Sequence, residues 1–339
     1  MRLLVLGGGG FLGHHVVSAA LAAGDDVTTF SREPTEHDGV ETLLGDRTSD
    51  LSALEEQVRD GVRFDAVLDT FSDSDAVRAS TRLLSTAVDA FGYVSGMSVY
   101  APDGPAVPDE DAPLRREGAH DDRLQERSVV KLACEAAVAE EFDGPVLVPR
   151  VGIMVGPRDP TDRFTWWPVR MARALSGDRA REVLVPGDPG RTVQLSDARD
   201  VASWVVEALR ERRPGVHNVV GPGRGETLGE VLAACLRAAG GSPGDVDLVA
   251  LRDEDRLRDV LSHVDEEERP LWFPEDQIPQ DAVDSSRAVA AGLTFRATED
   301  TARDTLAWRR EQGGLDRLLA GLPPDLEARL VAEARSSDG

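Results

Sequence analysis

Apolar and polar positions alternate along the first 150 residues in a pattern that predicts a parallel sheet flanked by helices. Short, uninterrupted apolar runs are typical of strands buried on both faces, and the segments between them show helical spacing. The strand runs lie at 3–6, 27–30, 40–44, 64–69, 93–95 and 146–150, and the helical segments at 14–24, 51–58, 76–90 and 123–142. Strands that alternate with helices favour an α/β fold with a doubly wound parallel sheet.

The rest of the chain predicts a smaller mixed α/β region. Its strands are expected at 182–185, 193–195, 216–220 and 246–251, and its helices at 197–212, 227–239, 253–263 and 299–311. Residues 101–122 are rich in proline and acids and predict a long loop, a kind of segment that often covers a substrate. Pro323 and Pro324 begin a last short helix, which we expect to be peripheral.

The first strand leads into a glycine-rich turn, within RLLVLGGGGFLG at residues 2–13. Gly7, Gly10 and Gly13 fit G-x-x-G-x-x-G, whereas Gly8, Gly10 and Gly13 fit G-x-G-x-x-G. Strand, glycine turn and helix form the phosphate-binding corner of a Rossmann-type fold, because glycine lets the backbone approach a pyrophosphate at the positive end of the helix. The alternative is a glycine turn that binds nothing. The residues expected to bind a dinucleotide here are Gly7, Gly10, Phe11, Leu12 and Gly13.

Polar residues follow the carboxyl ends of the next strands, where ligands collect in open parallel sheets. NAD-specific enzymes usually place an acid after the second strand, but here Ser31 and Arg32 supply a hydroxyl and a cation suited to a 2′-phosphate. We therefore expect NADP(H) to be preferred over NAD(H), with a solvated Arg32 as the alternative. Asp46, after the third strand, can accept a hydrogen bond from the adenine amino group. Arg47 and Thr70 complete the expected contacts on this side of the cofactor.

Composition and charge narrow the class of protein. The chain has 339 residues and a formal net charge of −24 at pH 7, which repels nucleic acid and anionic lipid at long range. No apolar run is long enough to span a membrane, and no signal segment is apparent, so we expect a cytoplasmic protein that acts on a small molecule. The cysteines, Cys134 and Cys235, lie in predicted helices and indicate neither a disulfide nor a metal site.

Lys131 is the only lysine among 38 lysine and arginine residues. A position that stays lysine in such a composition indicates a need for a compact ammonium on a flexible stem, which a guanidinium cannot imitate. Chance survival on a solvated helix face is the alternative. We therefore place Lys131 among the candidate functional residues.

These patterns divide the chain into three predicted regions. A dinucleotide-binding Rossmann domain spans 1–155, and its sheet also receives elements from about 193–220. A mainly substrate-binding region spans 156–315, and a peripheral tail spans 316–339.

The chain resembles an extended short-chain dehydrogenase/reductase of the NAD-dependent epimerase/dehydratase family. The resemblance is carried by GGGGFLG at 7–13, GD at 45–46, VSGMSVY at 94–100, KLACE at 131–135 and PRVGIMVGP at 149–157. It implies the Rossmann-type fold, a nicotinamide cofactor and oxidoreductase or epimerase chemistry. Many relatives form dimers through two helices, so a homodimer is one expected state.

The resemblance also implies an active site of a serine or threonine, a tyrosine, and a lysine four residues after the tyrosine. Lys131 matches that lysine, which would lower the tyrosine pKa and bind the nicotinamide ribose. Arg127 stands where the tyrosine belongs, and Gly96 stands where the hydroxyl belongs, between Ser95 and Ser98. Arginine cannot transfer a proton near neutrality, so the usual Ser-Tyr-Lys mechanism is not expected.

Three hypotheses follow for the chemistry. The first is an NADP-dependent enzyme with relocated acid–base groups, for which His120, Asp121, Asp159 and Asp162 are candidates. The second is a non-redox reaction in which Arg127 and Lys131 bind an anionic substrate or a developing oxyanion. The third is an inactive NADP-binding sensor or scaffold. The expected catalytic residues are Lys131, Arg127 and His120. Ser95 is expected to contact the cofactor, and the expected substrate contacts are Gly96, Met97, Ser98, Asp162, Arg163, Trp166 and Trp167.

Several of these candidates have structural alternatives. Asp162 and Arg163 could pair with each other, and Trp166 and Trp167 could pack the interior of the smaller region. His120 could equally be a solvated loop residue.

Overall fold

The computed structural model describes residues 1–119, 124–222, 225–265, 268–272, 283–316 and 318–337. The strands are β1 (Arg2–Leu6), β2 (Asp26–Ser31), β3 (Glu41–Leu44), β4 (Ala66–Asp69), β5 (Phe91–Tyr93), β6 (Ser95–Gly96), β7 (Val146–Val151), β8 (Ile153–Val155), β9 (Glu182–Pro186), β10 (Thr192–Val193), β11 (Leu195–Asp197), β12 (Gly215–Val219), β13 (Glu226–Thr227) and β14 (Asp247–Leu251). The helices are α1 (Phe11–Ala22), α2 (Ser52–Arg59), α3 (Ser74–Leu84), α4 (Gln125–Glu141), α5 (Trp166–Ser176), α6 (Ala198–Arg210), α7 (Leu228–Ala238), α8 (Glu254–Ser262), α9 (Ser286–Ala290), α10 (Thr298–Glu311) and α11 (Pro324–Ser337). A short 3₁₀ turn spans Met97–Val99.

The chain forms two compact units. Unit 1 comprises 1–153, 198–223 and 282–295, and unit 2 comprises 154–197, 224–281 and 296–339. The sequence placed the first boundary at residue 155 and expected a later return to the sheet. The cofactor and substrate roles assigned to the regions stay predictions.

Unit 1 is built on a parallel sheet in the order β12-β7-β5-β4-β1-β2-β3, with β6 beside β7. Leu6 at the end of β1 lies opposite Phe30 of β2 on one side and Asp69 of β4 on the other. The direction of strand progression reverses at β1 and β4, which is the switch point where ligands bind in open α/β sheets. The predicted fold class, a Rossmann-type doubly wound parallel sheet, is confirmed.

Helices cover the sheet in two groups. Helix α1 packs against α6, while α3 packs against both α2 and α4. Right-handed crossovers put the connections from β1 to β2 and from β4 to β5 on opposite faces, since the sheet order reverses between them. A cluster of buried side chains lies under α2, α3 and α4 and includes Phe30, Leu54, Phe91, Tyr93 and Cys134.

The third helix is shorter than the pattern predicts. We expected a helix over 76–90, but α3 ends at Leu84. Ala87, Val88 and Ala90 are buried because they approach the strands, and Val88 forms a parallel bridge with Phe64. An apolar segment that enters a sheet has the same composition as a buried helix end, which is why periodicity alone misplaces the boundary.

Unit 2 contains three two-stranded pairs and a helical layer. β9 pairs with β14, β10 with β13, and β8 with β11, and α7 packs against α5 and α10. A capping box between Thr227 and Glu230 begins α7. Among the described residues, no helix is long and apolar enough to cross a membrane.

The last helix is packed into unit 2, which differs from the peripheral position expected from the sequence. Helix α11 contacts β9 and β14, and Leu330 is fully buried. The Glu327 carboxylate accepts hydrogen bonds from Arg170 at 3.0 Å and from Arg179 at 2.9 Å. Removing one partner of such a buried ion pair strongly destabilises a protein, because the other charge is left uncompensated. These hydrogen bonds therefore fix the position of the helix.

Candidate dinucleotide and catalytic site

The glycine turn after β1 is tightly packed at three of its glycines, Gly7, Gly8 and Gly13. A Cβ on Gly8 would lie 2.6 Å from the Thr29 methyl carbon. Gly7 has φ +101°, a conformation that side chains disfavour, and a Cβ there would lie 2.4 Å from the Thr70 hydroxyl. A Cβ on Gly13 would lie 2.2 Å from the Gly7 carbonyl oxygen. Gly13 therefore lets α1 approach β1 closely, and the first and third positions of G-x-x-G-x-x-G are required by this backbone.

The start of α1 fits a pyrophosphate. Gly10 is the N-cap and no side chain caps the helix, so the first N–H groups, including those of Phe11 and Leu12, lack a side-chain acceptor. A Cβ on exposed Gly9 would meet nothing within 4 Å. An uncapped helix N-terminus beside a small-residue turn is what an anionic phosphate group needs.

Polar groups line the carboxyl ends of β2 and β3. The Ser31 hydroxyl donates to the Glu33 carbonyl at 2.6 Å, and Arg32 is exposed. Hydrogen bonds from the Thr48 hydroxyl and backbone N–H, helped by the charge of Arg32, lower the pKa of Asp46. An ionised Asp46 can accept a hydrogen bond from an amino group, and Arg32 lies near enough for its charge to lower the Asp46 pKa. The contacts of Ser31, Arg32 and Asp46 with a cofactor stay predictions.

Arg47 points into the protein. Its guanidinium donates to Asp69 at 2.9 and 2.6 Å and to the Ser80 hydroxyl at 2.7 Å, and Asp69 is fully buried. The guanidinium also lies 5.3 Å from the centre of the Phe71 ring. The expected direct contact between Arg47 and the cofactor stays a prediction, but its hydrogen bonds give it a structural role that we did not predict.

The expected contact at Thr70 lies beside the glycine turn. The Thr70 hydroxyl donates to the Leu6 carbonyl at 3.2 Å. The loop after β4 is thus tied to the end of β1, next to Gly7.

Lys131 is buried on the inner face of α4. Its ammonium donates to the Val94 carbonyl at 2.8 Å and lies 5.0 Å from the centre of the Tyr93 ring. Burial lowers the pKa of Lys131 from 10.5 to about 8. The ammonium is therefore mostly protonated near neutrality, and an ammonium has three N–H donors, of which Val94 takes one.

Arg127 lies one helical turn before Lys131 and is exposed. Its charge contributes to lowering the Lys131 pKa, after the larger effect of burial. The neighbouring Ser128 hydroxyl donates to the Ser98 carbonyl at 2.8 Å, which holds this part of α4 against the segment after β6. Lys131 thus lies against Val94, whereas Arg127 is exposed one turn earlier on the same helix.

Gly96 is not required by its backbone. It has φ −144° and ψ 153°, an extended conformation open to any residue, and a Cβ would meet only ordinary contacts at 3.7 and 3.8 Å. Ser98 is half-buried, whereas Met97 packs in a cluster with Tyr100, Ala112, Val220 and Val283. The missing hydroxyl at 96 is therefore not explained by steric need, and a substrate contact by Met97 stays a prediction.

Ser95 and Arg150 have unsatisfied polar atoms on the same side of the sheet. They lie opposite each other in the pairing of β6 with β7. The Ser95 hydroxyl and Arg150 Nη1 are buried and find no hydrogen-bond partner in the described part of the chain. The remainder of the Arg150 guanidinium donates to Glu135 at 3.1 and 2.8 Å. Buried polar groups are normally paired, so these two atoms are exceptions within the described residues, and the contact of Ser95 with a cofactor stays a prediction.

Both tyrosines of the chain are engaged in the interior. The Tyr93 hydroxyl donates to the Phe71 carbonyl at 3.0 Å, and the Tyr100 hydroxyl donates to Asn218 at 2.5 Å. Burial raises the pKa of each phenol. Neither phenol is therefore poised to exchange a proton near neutrality.

The candidates after β8 lie in unit 2. Asp162 is buried at φ +54° and accepts from the Leu319 N–H at 3.0 Å, while Arg163 donates to the Arg269 carbonyl at 3.2 Å. Asp159 accepts from the backbone and hydroxyl of Thr161, and burial raises its pKa. These carboxylates are tied into their own surroundings, so their substrate or acid–base roles stay predictions.

The tryptophan pair forms part of the interior of unit 2. Trp167 is 1% exposed and Trp166 is 8% exposed. The Arg179 guanidinium lies 5.7 Å from the centre of the Trp166 ring. Packing, one of the two roles considered for this pair, accounts for their burial. His120 and Asp121 lie outside the described residues, and the described residues contain no group of His, Cys, Asp and Glu side chains arranged to hold a metal ion.

Comparisons with known proteins identify the family and the fold. The model of the NAD dependent epimerase/dehydratase family matches residues 3–221. No curated protein sequence matches the chain. The fold is similar to UDP-glucose 4-epimerase of Thermus thermophilus with NAD, at 20% identity and TM-score 0.63, over 93% of this chain and 100% of that one.

Two further solved structures show the same fold. The Bordetella bronchiseptica enzyme WbmH with NAD⁺ has 16% identity and TM-score 0.62, over 92% of this chain and 99% of that one. UDP-glucuronic acid 4-epimerase of Bacillus cereus with NAD has 16% identity and TM-score 0.62, over 93% and 100%. With the family match over residues 3–221, these findings show that the chain belongs to the NAD-dependent epimerase/dehydratase family.

Proposed function

We propose that this protein is a nicotinamide-dinucleotide-binding enzyme that acts on an anionic small molecule without the family's tyrosine. The observation that carries the proposal is the pair on α4, where an exposed Arg127 precedes a buried Lys131 by one turn. Both tyrosines are buried and hydrogen-bonded elsewhere. Helix α4 thus offers two cations one turn apart, while both phenols of the chain are engaged by other partners.

The residues of unit 1 support cofactor binding. The pyrophosphate would lie at the uncapped start of α1, over Gly9 and Gly10, and Ser95 and Lys131 would offer donors to the nicotinamide half. A bound nicotinamide would supply hydride transfer. The protein's own part is to hold that group and to present Arg127 to the substrate.

Arg127 is better suited to binding an anion than to transferring a proton. A guanidinium stays protonated near neutrality and donates in a planar fork that matches carboxylate and phosphate oxygens. The extra room at Gly96 would let an oxygen of the substrate lie where the family has its own hydroxyl. In this arrangement Arg127 and Lys131 stabilise a negative oxygen, and any proton transfer falls to another group.

We also propose that the preferred cofactor carries a 2′-phosphate. Support comes from the end of β2, where Ser31 replaces an acid and the exposed Arg32 lies close enough to influence Asp46. An acid there would repel a phosphate, whereas Arg32 would attract one.

The test combines binding and turnover. Wild-type protein is titrated with NADP⁺ and NAD⁺ and assayed with a panel of nucleotide sugars, beginning with UDP-glucose. In a reaction that the wild type performs, Arg127→Gln should lower kcat/KM about ten- to a hundredfold, the effect of losing a charge-assisted hydrogen bond. Arg127→Lys should also lower it, because an ammonium cannot form the fork. Arg59→Gln removes an exposed arginine from α2 and is the matched control.

The outcomes separate the hypotheses. Turnover unchanged by both Arg127 substitutions would contradict a substrate role for this residue. Tight nucleotide binding without turnover of any nucleotide sugar or carbonyl substrate would instead support the inactive sensor or scaffold. Absence of nucleotide binding would overturn the cofactor proposal itself.

A further inference from the structure

Phe71 is an exposed aromatic residue at the carboxyl edge of the sheet. It follows β4 at the switch point, and 36% of its surface remains accessible. An exposed ring at this edge lies where ligands bind in open α/β sheets, so its face is available for stacking. No sequence motif singled out this residue.

The backbone of Phe71 is fixed on both sides. Its N–H donates to Asp69 Oδ1 at 2.9 Å, and its carbonyl accepts from the Tyr93 hydroxyl at 3.0 Å. Asp69 and Tyr93 are both fully buried. The loop that carries the ring is therefore anchored to two rigid strands.

The ring itself is supported by Arg47. The guanidinium carbon of Arg47 lies 5.3 Å from the ring centre, and the guanidinium is held by Asp69 and Ser80. A guanidinium near an aromatic ring attracts its π electrons and restrains its motion. Phe71 thus forms a preorganised platform, which reduces the entropy lost when a ligand stacks on it.

Asp46, an expected cofactor contact, directly precedes Arg47 in the chain. Its lowered pKa keeps it ionised as a hydrogen-bond acceptor. An aromatic platform whose supporting arginine directly follows an acceptor in the chain suits a flat heterocycle with an exocyclic amino group. Lys131 lies on α4 near Tyr93 and Val94, where the nicotinamide half is proposed to bind.

We propose that Phe71 stacks on the adenine of the dinucleotide and that Arg47 acts on the nucleotide only through Phe71. The proposal rests on the proposed cofactor function. It names a binding residue, Phe71, and makes Arg47 a positioning residue rather than a direct contact.

The test measures affinity for each half of the cofactor. Wild type, Phe71→Ala, Phe71→Leu and Phe71→Trp are titrated with NADP⁺, with ADP-ribose and, by competition, with nicotinamide mononucleotide. Phe71→Ala should weaken NADP⁺ and ADP-ribose by about 5- to 100-fold, as expected for loss of base stacking. Phe71→Leu should lose most of the same affinity, and Phe71→Trp should keep it. Leu44→Ala is the control: it removes another exposed apolar side chain, at the end of β3, and should leave the affinity for all three ligands unchanged.

The fragments distinguish stacking from a general loop defect. Unchanged affinity for nicotinamide mononucleotide in Phe71→Ala supports the proposal, whereas an equal loss for both fragments would overturn it. Retention of full NADP⁺ and ADP-ribose affinity in Phe71→Ala would also overturn it. If the wild type binds none of the three ligands, the cofactor proposal fails together with this one. If it binds them and only the Phe71 effect is missing, this inference alone fails.

Discussion

Replacing Asp69 with asparagine should strongly destabilise unit 1. The carboxylate is fully buried and accepts three hydrogen bonds, two from Arg47 at 2.9 and 2.6 Å and one from the Phe71 N–H at 2.9 Å. The substitution keeps the shape of the side chain but leaves the Arg47 guanidinium charged and uncompensated. Breaking one partner of a buried pair costs about 3–5 kcal/mol, a large part of the about 5–15 kcal/mol that a typical protein has.

The assay is urea unfolding of the nucleotide-free protein, followed by circular dichroism and by tryptophan fluorescence. Two probes are needed because two compact units need not unfold together. Asp89→Asn is the control, since Asp89 pairs with Arg63 at 2.9 Å and with Arg212 at 2.6 Å near the surface, and each such pair contributes about 0–1 kcal/mol. The double variant Asp69→Leu with Arg47→Met removes both charges and should recover most of the loss.

Either of two results would refute this reasoning. A cost of Asp69→Asn no greater than that of the surface control would mean that the pair is not desolvated in solution. If the double variant loses as much free energy of unfolding as Asp69→Leu and Arg47→Met lose in sum when made singly, the two residues do not interact.

Three further predictions concern the site. Burial lowers the Lys131 pKa from 10.5 to about 8, so between pH 8 and 10.5 the unfolded chain binds one more proton than the folded chain. The free energy of unfolding of the wild type should therefore rise with pH across this range by up to about 3 kcal/mol relative to that of Lys131→Met. A difference between the two proteins that does not change with pH would contradict this prediction. Arg32→Ala should narrow the preference for NADP⁺ over NAD⁺ about ten- to a hundredfold, and equal wild-type affinities would contradict the preference. The double variant Arg127→Tyr with Gly96→Ser should fold, since Gly96 has room for a side chain. It should nevertheless lower turnover of the native substrate, because the guanidinium is lost. Higher native turnover would show that the family's proton transfer operates.

The alternation of strands and helices could be predicted because strands buried on both faces occur as continuous apolar runs. Five of the six runs before residue 151 correspond to single strands of the central sheet, with small differences in their ends, whereas the run 93–95 falls across the end of β5 and the start of β6. The glycine turn could be located for a similar reason, since strand, turn and helix are contiguous in sequence. Its packing, such as the approach of Gly13 to Gly7, needed the structure.

The buried ion pairs of both units join residues that are distant in sequence, and local pattern does not encode them. Arg47 was predicted to face the cofactor from its position after β3, but its partner Asp69 lies on β4 and turns it inward. Glu327 falls in a segment whose composition is that of a solvated tail, and its partner Arg170 lies on α5. In both cases the sequence shows a charged residue but not the direction in which it points.

The most direct test of the central claim is calorimetric titration of wild type and Gly9→Val with NADP⁺. A Cβ at Gly9 meets no protein atom within 4 Å, so the variant should fold normally while filling the space proposed for the pyrophosphate. An unchanged thermal midpoint is the control for folding. The account predicts saturable binding to the wild type and a loss of at least about tenfold in the variant, equivalent to about 1.4 kcal/mol. No binding to the wild type, or equal binding to both proteins, would contradict it.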